Sequence, residues 1–99
     1  SELEARKAEI ASKLKDLVLT ELLRFEELYN QSELQAAIAA RETTRFKVIE
    51  VGYRLGEGST AEMMSLMSQL DRVKAQAATT KLEMKAQALK VQRLVMGVN

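Results

Sequence analysis

From Val18 onward, apolar or small side chains return at alternating steps of four and three: Val18, Leu22, Phe25, Tyr29, Ser32, Ala36, Ala39, Thr43, Phe46, Glu50 and Tyr53. Such spacing keeps one stripe of a helix turned toward a single neighbour, so it predicts a long, coiled-coil-like helix with a few polar entries in its seam. Leu3, Ile10, Leu14 and Leu17 extend the stripe upstream in a slightly different phase, while Leu19, Leu23 and Leu28 widen the apolar surface. The predicted helix runs from about residue 2 to 55. One interruption is conceivable at Asn30-Gln31-Ser32, where Ser32 and Gln35 have the spacing of a capping box.

The next segment, Gly56-Glu57-Gly58-Ser59-Thr60, has the residues of a helix stop followed by a helix start. Glycine suits the left-handed position that ends a helix, Ser59 or Thr60 suits an N-cap, and Glu62 suits the first turn of a new helix. A second helix over about 60 to 97 follows, with Met63, Leu66, Leu70, Val73, Ala77, Thr80, Met84, Val91 and Leu94 at a/d spacing and Gln87 as the polar exception. A further stripe of Leu82, Ala86, Leu89 and Met96 lies on another face of that helix. Folding back about residues 56–59 makes a single all-α unit over residues 1–99, a long antiparallel two-helix hairpin. Tyr53 is then expected near Met63, Phe46 near Leu70, and Val18 near the C-terminal end, with residues 1–17 overhanging. Two apolar faces on one hairpin call for more than one neighbour, and a homo-oligomer, simplest as a dimeric four-helix bundle, is the expected closure.

Composition narrows the chemistry. Aromatics are only 4% of the chain, so packing has to come from Leu, Val, Ile, Met and Ala, and there is no proline to break a helix. Without histidine or cysteine, the usual general base, thiol nucleophile and zinc ligands are missing. The net charge of +1 comes from interspersed residues of both signs, against a nucleic-acid footprint. The six basic and three acidic side chains of residues 62–99 read as a solvated helix face. No apolar run reaches membrane-spanning length, so direct insertion by this segment is not expected. Glu26 with Glu27, and Glu9 with Lys13, read as surface charges at helical spacing. Asp71, Glu83 and Glu62 are too spread out to share a metal, and Met63, Met64, Met67, Met84 and Met96 read as core filling. The expectation is a non-enzymatic chain with no catalytic residues, cofactor or metal.

The stretch from Glu50 to Met64 resembles the turn of the TolC-type outer membrane efflux proteins. In that family a long helix ends in Tyr-Arg-x-Gly-x-Gly-Thr or Ser, followed by x-x-Asp-Val-Leu and a second long helix. Here Tyr53, Arg54, Gly56, Gly58 and Ser59 fit the first part, and Glu62, Met63 and Met64 replace Asp, Val and Leu conservatively. The likeness continues through Leu19 to Tyr29, Ala36 to Ala40 and Leu94 to Val98. It implies a hairpin of the periplasmic α-barrel whose turn forms the tip that meets a membrane-fusion adaptor in efflux or type I secretion. Gly56, Gly58 and Ser59 would shape that tip, and Arg54, Glu57 and Glu62 would be contacts, with Tyr53 completing the motif. Family members carry two such hairpins and membrane β-strands, so this single hairpin is expected to be a piece or a reduced relative that forms no pore alone. The competing expectation is a stand-alone cytoplasmic coiled-coil homodimer acting as scaffold or adaptor. The hairpin of the fusion adaptor itself fits less well, because the Arg, Leu and Ser spacing of that family is missing across the turn.

Overall fold

A computed structural model describes residues 1–98, and the last residue, Asn99, lies outside it. Two helices account for nearly all of the described chain: α1, Glu2–Arg54, and α2, Thr60–Val98. They pack antiparallel into a rod of 82 × 16 × 15 Å. At about 1.5 Å per residue the 53 residues of α1 account for that length by themselves.

Helix α1 is continuous through Asn30, Gln31 and Ser32. The capping-box spacing of Ser32 and Gln35 is therefore not used as a cap, and both side chains are half-buried along α1. With no proline or glycine nearby, nothing in the backbone requires an interruption there. The hydroxyls of Thr20, Thr43, Thr44 and Thr79 each donate to the carbonyl four residues back, which satisfies them without leaving the helix.

The seam of α2 is as the spacing predicts. Leu70, Thr80, Gln87 and Val91 are buried, and Met63, Leu66, Val73, Ala77, Met84 and Leu94 are half-buried. The seam of α1 differs. Val18, Phe25, Ser32, Ala39, Thr43, Phe46 and Glu50 do turn inward, but Leu22, Tyr29, Ala36 and Tyr53 stay exposed. Their places are taken by Glu21, Leu28, Gln35 and Gly52, one residue earlier in each case. The helix therefore steps three then four from Val18 rather than four then three, which turns its face by about 50°, half of one residue's 100°. Toward the tip the two patterns merge, with Glu42 and Thr43, then Ile49 and Glu50, half-buried side by side.

Lys90 reaches Glu21 across the seam, and the remaining helical residues of α2 carry it about 12 Å further along α1. The pairing thus continues upstream of Leu17, and the overhang is shorter than the expected 1–17. Leu70 and Val91 are the buried apolar residues, and no side chain is fully enclosed among the described residues. Among the described residues, no helix is long and apolar enough to cross a membrane.

Candidate functional site at the helical turn

The turn is built by backbone geometry first. Gly56 and Gly58 have φ of 91° and 80°, in the left-handed region where a Cβ is strained. With Gly56 in that conformation, its N–H donates to Tyr53 O at 3.0 Å and the Glu57 N–H donates to Gly52 O at 2.9 Å. These are the two bonds of a Schellman ending, and they satisfy carbonyls that the end of α1 would otherwise leave open. Gly52 has its own role. A Cβ there would stand 3.2 Å from the Glu57 carboxylate, so the missing side chain lets Glu57 fold back against the helix end.

Ser59 begins α2. Its Oγ accepts from the Glu62 N–H at 3.2 Å, and its carbonyl accepts from the Met63 N–H at 3.1 Å, so Ser59 rather than Thr60 is the N-cap. The Glu62 carboxylate lies 3.3 Å from where a Cβ on Gly58 would sit, at the positive end of α2. Thr60 instead shares a 2.9 Å hydrogen bond with the Tyr53 hydroxyl, which ties the last turn of α1 to the first turn of α2. Arg54 is held by Glu50 at 3.1 Å, four residues back on the same helix.

All seven residues singled out from the sequence, Tyr53, Arg54, Gly56, Glu57, Gly58, Ser59 and Glu62, lie at this tip and all are exposed. Four of them, Tyr53, Gly56, Gly58 and Ser59, have a clear structural task in making the turn. Arg54, Glu57 and Glu62 leave charge at the surface, with Glu57 and Glu62 flanking Gly58. The sequence reading missed Leu55, which is 76% exposed between Arg54 and Gly56, and it read Met64 as core filling, whereas Met64, like Met67 and Met96, is exposed, at 67% one turn into α2. The available signal was that neither falls on a seam position, so each has to point elsewhere. The result is a tip with acidic side chains beside two uncovered apolar ones.

Among the described residues, no cluster of three or more histidine, cysteine, aspartate or glutamate side chains is placed to hold a metal ion. Far from the tip, Leu14, Val18 and Leu22 of α1 and Val95 of α2 line an open apolar groove. Comparison of the chain with protein-family models, with curated proteins and with solved structures finds no match.

Proposed function

We propose that the hairpin works by packing, as one stave of a helical barrel like the periplasmic part of TolC-type efflux and secretion channels, with its turn as a docking tip for a membrane-fusion adaptor. The observation that carries this reading is the turn: a Tyr-Arg-x-Gly-x-Gly-Ser sequence whose two glycines are left-handed and whose charged side chains are all exposed. The flanks support it too. Leu19, Leu23, Leu34, Val48, Leu82 and Leu89 are each more than half exposed, as a stave needs if neighbours cover it on both sides. The activity is structural and non-enzymatic, and its setting is the cell envelope.

A photo-crosslinking residue in place of Glu57, in the protein expressed in its own cells, tests this. The reading predicts a crosslink to a periplasmic protein with its own helical hairpin, weakened by Gly58→Val. Recovery of the chain from the cytoplasm, with no tip-dependent crosslink, would contradict it.

A second reading is a homodimeric scaffold, favoured by the amount of surface. The chain exposes 7840 Å², against about 5,700 Å² expected for a compact monomer of its 11.1 kDa. The difference is of the order that a subunit of an obligate dimer buries. Cytoplasmic recovery as a stable dimer would favour this reading over the first.

A further inference from the structure

Helix α1 has two usable inner faces. Both contain Val18, Phe25 and Ser32, and they differ in the residues between. One continues through Leu22, Tyr29 and Ala36, the other through Glu21, Leu28 and Gln35. Apolar burial alone favours the first, yet the hairpin adopts the second. Its costs are visible: Leu22 is 42% and Tyr29 46% exposed, while the buried Gln35 Oε1 has no hydrogen-bond partner.

What favours the second face sits at one place on the seam. Gln87 Nε2 donates to the Glu21 carboxylate and, at 3.0 Å, to the Glu21 carbonyl. Lys90 Nζ lies 3.3 Å from the other carboxylate oxygen. Glu21 and Gln87 are both buried, and with Lys90 they make the polar side-chain contacts from one helix body to the other away from the turn, among the described residues. A buried polar pair of this kind discriminates between arrangements, because the wrong one strands a charge or an amide without its partner.

We infer that the Glu21, Gln87 and Lys90 cluster sets the rotation of α1 about its own axis, holding the polar face inward against the alternative in which Leu22 and Tyr29 pack. Turning α1 by about 50° would bring Leu22 into the seam and carry Glu21 out to solvent. It would also remove Leu22 from the wall of the apolar groove it shares with Leu14, Val18 and Val95. The cluster thereby decides which apolar side chains the open half of the hairpin presents, whatever partner covers them.

The chain has no cysteine, so single thiols introduced as Leu22→Cys and Leu28→Cys report the two faces separately through their maleimide labelling rates. With the cluster intact, the thiol at position 22 is expected to react faster than the thiol at position 28. Adding Gln87→Leu leaves Glu21 facing an apolar side chain, and the order should invert, with position 28 now the faster. The pair Glu21→Leu with Gln87→Leu makes the same face apolar on both helices and should restore the original order. An unchanged order in helical Gln87→Leu protein, or an inverted order in the double variant, would overturn the inference. If Gln87→Leu abolishes helicity, Lys90→Gln serves instead, as a milder change at a side chain that is 56% exposed. A smaller shift of reactivity toward position 28 supports the inference, and an unchanged ratio of the two rates contradicts it.

Discussion

The seam between the helices and the faces that look away from it differ in the opposite sense from most small proteins. Among the described residues the seam buries Glu21, Thr80 and Gln87 alongside only Leu70 and Val91, whereas the outward faces keep Leu3, Ile10, Leu23, Leu34, Leu82 and Met96 more than half exposed. Polar contacts in a seam discriminate between arrangements, and uncovered apolar surface is where burial remains to be gained. The polar contacts that specify the hairpin therefore lie in its seam, while its outward faces leave apolar surface uncovered.

The largest effect should come from the seam. Leu70 is one of the few apolar side chains that are buried, and Leu70→Ala is expected to destabilise the hairpin by about 2–3 kcal/mol, read from the midpoint of thermal or urea unfolding. The turn should be next. Gly56→Ala places a Cβ where nothing lies within 4 Å, so its cost is conformational alone, about 1–2 kcal/mol for a left-handed backbone. A loss well beyond that range would show that the turn also supports packing elsewhere.

A smaller effect should follow pH. The Gln87 hydrogen bond holds the Glu21 carboxyl below the ordinary glutamate range, opposed by burial and aided by Lys90 and Arg24, the cations that face it from α2 and from its own helix. A carboxyl depressed in the folded state stabilises fully above its unfolded pKa, and that stability is lost as pH falls through the folded value. Unfolding midpoints should therefore drop on acidification below the ordinary glutamate range, and Glu21→Gln should flatten that part of the profile. The smallest effect belongs to the flanks. Leu82→Gln with Leu89→Gln should change the stability of the separated hairpin by no more than about 0.5 kcal/mol each, because both side chains are more than half exposed. The same pair should weaken self-association, which a concentration series of melting temperatures would register.

The turn and α2 were legible in the sequence because local chemistry decides them. Gly56 and Gly58 answer a backbone requirement, Ser59 answers an open N-terminus, and the α2 stripe keeps one steady spacing from Met63 to Leu94. Gln87 could even be marked in advance as its exception. The inner face of α1 was only half legible. Val18, Phe25, Ser32, Ala39 and Phe46 belong to either pattern, but the choice of Glu21 over Leu22 depends on an amide 66 residues away. Ranking residues by apolarity inverts that choice, since it weighs a buried carboxylate without its partner. The continuous helix through Asn30 to Ser32 is a related case, in which residues able to cap lie inside a helix that continues on both sides. Leu55 was missed because it sits between motif positions and belongs to none of them.

The most direct test of the hairpin as an incomplete part is its mass in solution, measured by light scattering across a concentration series, with the Leu82→Gln, Leu89→Gln protein alongside. The account predicts that the parent chain associates into multiples of 11.1 kDa and that the variant dissociates at higher concentrations than the parent does. A parent chain that stays at 11.1 kDa at the highest concentration and still melts cooperatively would show that the polar seam suffices alone, and would contradict it.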